Sequence, residues 1–250
     1  MAGHSKWANI KHRKAAQDAK RGKVFSKLIR ELSVAARHGG ADPADNPRLR
    51  AAMDKALANN MTKETIQRAA DRGAGHHDAD EMEEVVYEGY GPEGVAILVE
   101  CMTDNRNRTV SDVRHAFSRH GGNLGTSGSV SFLFHHQGRI AVPADVSEEA
   151  VMAATLDAEP DDILSLDQGR LEVITSPQRY GAVQDALADA GITPQASEVG
   201  LFPETMAVID DPDLGRRVMA LIDWLEDLDD VQNVYTNADV NDAILEQLDE

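Results

Sequence analysis

A change of rhythm near residue 80 constrains this chain more than any other feature. Before it, apolar side chains recur every three or four residues, the spacing of amphipathic helices. After it, short β-branched runs alternate with helical stretches, which calls for sheets covered by helices. Residues 23–38 carry Phe25, Ile29, Leu32 and Ala36, with Val24 and Leu28 alongside, and Gly39-Gly40 stops the stretch. Asn46 as cap and Pro47 at the first helical position announce a second helix, running through Leu49, Met53, Ala56 and Leu57 to Asn59-Asn60. Thr62 caps a third, whose short apolar face is Ile66 and Ala69-Ala70 and which Gly73 and Gly75 end. Residues 1–78 therefore read as a helical unit.

Past the acidic connector around Asp78 to Glu84, Val85-Val86-Tyr87 and Val95 to Val99 flank Gly91-Pro92-Glu93-Gly94, the pattern of a hairpin. A helix from about Thr109 to His120, with Val110, Val113 and Phe117 inward, leads to a strand at Ser129 to Phe134. From Arg139 the order is strand 139–142, helix 147–156, strand 162–166, strand 170–175, helix 178–190 and strand 195–199, the β-α-β-β-α-β order of a ferredoxin-like unit. The tail adds a strand at Thr205 to Ile209, an amphipathic helix from about Asp213 to Leu228 and a strand at Val231 to Tyr235. These last elements complete the sheet begun at Val85. The prediction is an α+β protein: a helical N-terminal domain followed by two α/β sandwich domains, the third (ferredoxin-like) inserted in the second, with bounds 1–78, 79–135 plus 204–250, and 136–203. A length of 250 residues suits two or three such units.

Charge is divided along the same line. Residues 1–75 hold 16 Lys+Arg against 7 Asp+Glu, a net of +9, and the remaining residues hold 9 against 36, a net of −27. All eight lysines lie at or before Lys63. The run from Lys6 through Lys11, Arg13, Lys14, Lys20, Arg21, Lys23 and Lys27 to Arg30 contains nine basic residues and one acid, Asp18. Phosphate is the obvious counterpart: a patch touching about five phosphates on a duplex gives a log–log salt slope near −4.5. Trp7 adds a stacking surface for an unpaired base. The plain alternative is a solvated run that aids solubility, but a chain carrying −27 elsewhere has no need of lysines for that purpose. A second candidate is Thr103-Asp104-Asn105-Arg106-Asn107-Arg108-Thr109, between a strand and a helix. There, exposed helix amides with Arg106 and Arg108 can grip a phosphate, or the same residues can cap the helix and pair with the acidic body.

Other chemistry is not legible. Cys101, the single cysteine, excludes an internal disulfide and a cysteine-based zinc site, and its apolar run marks it as a core thiol. His76-His77 and His135-His136 lack a supporting cluster at metal spacing. The glycine-rich stretch Gly121 to Ser129 has no Gly-Lys-Ser/Thr ending and reads as a flexible connection rather than a P-loop. No metal, cofactor or enzymatic activity is expected. The chain has no apolar run of about 20 residues and the segment Met1 to Lys6 lacks the apolar core of a signal peptide, so a cytoplasmic protein without membrane contact is expected.

The opening Met1-Ala2-Gly3-His4-Ser5-Lys6-Trp7-Ala8-Asn9-Ile10-Lys11-His12-Arg13-Lys14 resembles the signature of the YebC/PmpR family. Tyr87-Glu88-Gly89-Tyr90-Gly91-Pro92, Thr103 to Thr109, and Gly121-Gly122-Asn123-Leu124 through Gly128-Ser129-Val130 are similar to the same family, so the likeness spans the chain. The resemblance implies three domains, the third inserted in the second, and a transcriptional regulator that binds DNA. As an alternative it implies a second role, since some members act on translating ribosomes to relieve stalling and mitochondrial relatives activate translation. The basic run suits DNA, ribosomal RNA or transfer RNA, because phosphate contacts position a protein without specifying bases. Oligomeric state, monomer or weak dimer, stays open.

Overall fold

A computed structural model describes residues 21–75, 82–166, 169–241 and 243–245. The helical unit is α1 (Arg21–Gly39), α2 (Pro47–Ala58) and α3 (Lys63–Gly75). Leu28, Leu32, Ala35 and Ala36 of α1 close on Leu49, Ala52 and Ala56 of α2 and on Ile66, Ala69 and Ala70 of α3, with Met61 sealing the end. Asn46 joins two of these helices. Its Oδ1 accepts from the Leu49 amide at 3.0 Å, capping α2, while its Nδ2 donates to the carbonyls of Ala35 and Gly40 at 2.8 Å each, closing the end of α1. Gly73 does not end α3, which runs on to Gly75; it is buried against α1, where a Cβ would fall 2.0 Å from the Ser33 carbonyl oxygen. A glycine read as a helix stop is instead a point of close helix approach.

The second unit begins with the hairpin β1 (Glu83–Tyr90) and β2 (Ala96–Thr103), paired antiparallel from Glu83↔Thr103 to Tyr90↔Ala96 around a short turn at Pro92–Gly94. After β2 come α4 (Arg106–Arg119) and the two-residue β3 (Asn123–Leu124), which adds to the outer edge of β1. The chain returns to this sheet only near its end, through β8 (Ala207–Ile209), α7 (Pro212–Asp227), β9 (Val231–Thr236) and β10 (Ala238–Val240). The sheet order is β3-β1-β2-β9, while β8 and β10 form a separate parallel pair. α4 and α7 cover one face, burying Val113, Ala116 and Phe117 together with Val218, Leu221, Ile222 and Leu225 against Ile97, Val99 and Cys101. Burial pushes the Cys101 thiol up to about 12, in keeping with a packing role.

Between β3 and β8 lies the inserted unit: β4 (Phe134–Val142), α5 (Glu148–Thr155), β5 (Asp162–Ser165), β6 (Leu171–Thr175), α6 (Tyr180–Asp189) and β7 (Ala196–Pro203). Its antiparallel order, β5-β6-β4-β7, is the ferredoxin-like arrangement that the element order predicted. The strand expected at Ser129 to Phe134 is absent. A short helical turn occupies Ser131–Leu133, and β4 instead runs unbroken from Phe134, paired with β7 from Phe134↔Pro203 to Ala141↔Ala196. This ribbon ties the inserted unit to the second one: Ala96, Leu98, Val130 and Phe134 form a small core beneath the first sheet, joined by Leu201 and Tyr235.

Candidate nucleic-acid interface

The basic run predicted to meet phosphate falls in two parts. Lys6, Trp7, Lys11, Arg13, Lys14 and Lys20 lie outside the described residues, and Arg21 opens α1. Lys23, Lys27 and Arg30 recur at i, i+4 and i+7 on α1, which places them on one stripe. That stripe faces the last turn of α7 and the residues just after it. The Lys27 Nζ donates to the Glu226 carbonyl at 2.8 Å, the Lys23 Nζ donates to the Asp227 carbonyl at 2.9 Å, and an Arg30 Nη donates to the Asp229 carbonyl at 2.6 Å. The physical reason is the C-terminal end of a helix, where carbonyls lack amide partners and carry the negative pole of the dipole. Burial pulls the Lys27 ammonium below its ordinary value of 10.5, and the charges of Glu226 and Asp227 restore only part of the loss. Lys23 remains half-exposed and can still turn donors to solvent; Lys27 is committed to the body.

Arg106 and Arg108 stand in the first turn of α4, three residues further into the helix than the sequence rhythm placed them. Asn105 is the cap, its Oδ1 accepting from the Arg108 amide at 3.1 Å. One Arg108 Nη donates to Asp104 Oδ1 at 2.7 Å and to Asp230 Oδ2 at 2.8 Å. Asp230 also accepts from the Thr109 hydroxyl at 2.8 Å and from Thr103 at 3.2 Å, while its own backbone carbonyl takes the Met102 amide at 2.8 Å. Burial works to raise this carboxyl, and the bonds from Arg108, Thr109 and Thr103 outweigh it, holding Asp230 below the usual aspartate value. Arg106 is exposed, 3.7 Å from Glu83. The cleft of about 660 Å³ above these groups presents Lys23, Arg30 and Arg108 beside Asp104, Asp112 and Asp227, so an entering anion meets both signs of charge.

The glycine-rich connection also differs from a free loop. Glu88 on β1 is buried, and its carboxylate accepts the amides of Gly128 at 2.7 Å and of Val130 and Ser131 at 2.8 Å each. Burial raises the Glu88 carboxyl and the three amides more than reverse it, leaving it below the ordinary 4.5. A ring of amides of this kind is an anion nest; here the anion is the protein's own. The same bonds explain the missing strand, since Val130 and Ser131 have no amide left for a ladder. Neither Glu88 nor Asp230 was singled out as a functional residue from the sequence. A glutamate interrupting a β-branched strand was the available signal for the first; the second is brought to Arg108 only by folding. Among the described residues, no group of three His, Cys, Asp or Glu side chains is placed to hold a metal ion, and no helix is long and apolar enough to cross a membrane.

A helical unit docked by its cations onto an α+β unit that is itself interrupted by a ferredoxin-like insertion defines a three-unit class of protein. Residues 5–76 match the model described as the TACO1/YebC protein N-terminal domain, and residues 82–238 match the TACO1/YebC second and third domain. The chain belongs to the TACO1/YebC family. It is 72% identical over 249 residues to a "Probable transcriptional regulatory protein" of Chromohalobacter salexigens, covering 100% of both chains. It is 58% identical over 248 residues, 99% of this chain and 100% of the other, to the "Transcriptional regulatory protein PmpR" of Pseudomonas aeruginosa. Among solved structures it is similar to a conserved hypothetical protein of Aquifex aeolicus, with a TM-score of 0.76 and 44% identity over 90% of this chain and 92% of that one.

Proposed function

We propose that this protein is a transcriptional regulator that binds DNA through its basic N-terminal region. The observation that carries this reading is the segregation of charge, +9 over residues 1–75 against −27 over the rest, in a chain whose relatives bear the name of transcriptional regulators. Lys6, Lys11, Arg13, Lys14, Lys20 and Arg21 neutralise phosphates, Trp7 stacks where a base is exposed, and Lys23 and Lys27 anchor the basic helix to the body while Lys23 still reaches the backbone. Arg106 and Arg108 serve as a secondary contact, Arg106 the freer of the two. The acidic body repels a polyanion and so restricts docking to the basic end. The protein acts in the cytoplasm without catalysis, and its three units divide near residues 78, 135 and 203.

Reversing charge at Lys11 and Lys14 tests this directly. The salt dependence of duplex binding should flatten by about 2 in log–log slope, and an unchanged slope would sink the reading. Crosslinking in cells followed by sequencing of the attached DNA and RNA separates this from a ribosome-associated translation factor that contacts ribosomal RNA or transfer RNA. Discrete DNA sites lost in the same variant support transcriptional control; ribosomal RNA clustered at one site with DNA at background overturns it.

A further inference from the structure

Beyond residue 75 the chain holds 9 Lys+Arg, and four of them, Arg106, Arg108, Arg114 and Arg119, fall on the single helix α4, which carries one acid, Asp112. Where this helix lies beside α7 an aromatic side chain stands outside the core. Trp224 is 41% exposed, although Val218 and Ile222 on the far side of its helix are fully buried. Two imidazoles flank it: His115 with ring centroids 6.1 Å apart at 62°, and His120 at 5.4 Å and 60°. At these angles neither imidazole is stacked flat on the indole. Burial, and then the neighbouring Arg119 and His115, push the His120 imidazole below its ordinary value of 6.5.

Helix spacing assigns two arginines to this face. Arg119 lies four residues beyond His115 on α4, and Arg217 lies one heptad before Trp224 on the same stripe of α7, with the small Ala220 between them. Both arginines are exposed and neither has a carboxylate partner among the described residues, whereas Arg108 is held by Asp104 and Asp230 and Arg216 by Asp213. An exposed indole on a face with two guanidinium groups that lack carboxylate partners among the described residues, in a body otherwise strongly acidic, complements a polyanion that carries flat bases. Between its two ends a duplex keeps its bases stacked on one another and offers no free face.

We propose that the α4–α7 face is a second contact, for single-stranded nucleic acid: an unpaired base stacks on Trp224 while phosphates to either side meet Arg119 and Arg217. The inference rests on the reading of this chain as a nucleic-acid binder, and it assigns unpaired bases to a face which that reading leaves unused. The full chain labelled with fluorotryptophan gives one fluorine resonance for each of its two tryptophans, that of Trp224 being assigned by its absence in Trp224→Phe. Oligo(dT) or oligo(U) should shift the Trp224 resonance, a blunt duplex of equal length should not, and the shift should vanish in Arg119→Glu/Arg217→Glu. A response to one oligonucleotide and not the other assigns the strand as DNA or RNA. Trp224→Ala should weaken single-strand binding roughly tenfold, with Trp224→Phe retaining part of the affinity as proof that the loss is one of stacking rather than of fold. A Trp224 resonance that stays in place while the labelled oligonucleotide is bound elsewhere overturns the proposal. If duplex binding then still depends on Lys11 and Lys14, DNA binding by the N-terminal region stands without this face. If Trp224 responds while the Lys11/Lys14 variant binds duplex unchanged, the reverse holds.

Discussion

Glu88 shows how one side chain sets the course of a dozen residues. Its carboxylate holds three amides of the glycine-rich connection, at 2.7, 2.8 and 2.8 Å, so a stretch composed for flexibility is pinned to β1. Because the amides bind the charged form, the folded carboxyl sits below the unfolded value of about 4.5. The resulting stabilisation is complete above that value and fades as pH falls through the lowered one. Glu88→Gln replaces one acceptor oxygen by an amide group that opposes a backbone N–H, and should cost about 1–3 kcal/mol at neutral pH. Urea unfolding at a series of pH values checks this: the gap between the wild-type protein and the variant should narrow below about pH 4.5. A gap that is constant with pH would mean that shape, not charge, holds the connection.

Elements in this chain are ended and joined by a few short-range devices. Asn46, Pro47 and Thr62 were readable as caps because a cap acts within three residues of its own position; the Thr65 amide indeed reaches the Thr62 hydroxyl at 3.3 Å. Gly73 was misread for the opposite reason. Its role is fixed by Ser33, forty positions earlier, and nothing in its neighbours announces that helix. Gly73→Ala should therefore destabilise the protein by about 1–3 kcal/mol, the overlap with the α1 backbone outweighing the better helix propensity of alanine. Gly75, whose added Cβ would meet nothing within 4 Å, is the control, and Gly75→Ala should be neutral or slightly favourable. Thermal unfolding of the two variants side by side decides the point; equal melting temperatures would show that α1 and α3 separate at little cost.

On the scale of the whole molecule, the basic helix is part of the body's architecture as well as of its charge. Lys23, Lys27 and Arg30 cap α7 from outside, and Arg48 bridges Glu31 and Glu84 at 2.8 and 2.9 Å, tying the helical unit to β1. Exposed ion pairs contribute little, but Lys27 and Arg30 are half-buried and bond to carbonyls. Lys27→Met with Arg30→Met should remove about 2 kcal/mol of docking energy. In scanning calorimetry the helical unit of this variant should melt at a lower temperature than the rest; a single unchanged transition would mean that apolar contacts alone hold the units together.

Rhythm, caps and charge segregation were determined by the sequence itself, since each is expressed among residues within a turn or two of one another. Helix and strand order, the ferredoxin-like insertion and the basic end all follow from such local patterns. Which cations remain available was decided only by tertiary structure. Lys23 meets Asp227 across 204 positions and Arg108 meets Asp230 across 122. A donor satisfied by a helix terminus or a buried carboxylate has already exchanged its water for a partner, and must lose that partner to gain a phosphate. Trp224 gained its flanking imidazoles in the same way, because α4 and α7 lie a hundred residues apart in the chain and side by side on one sheet.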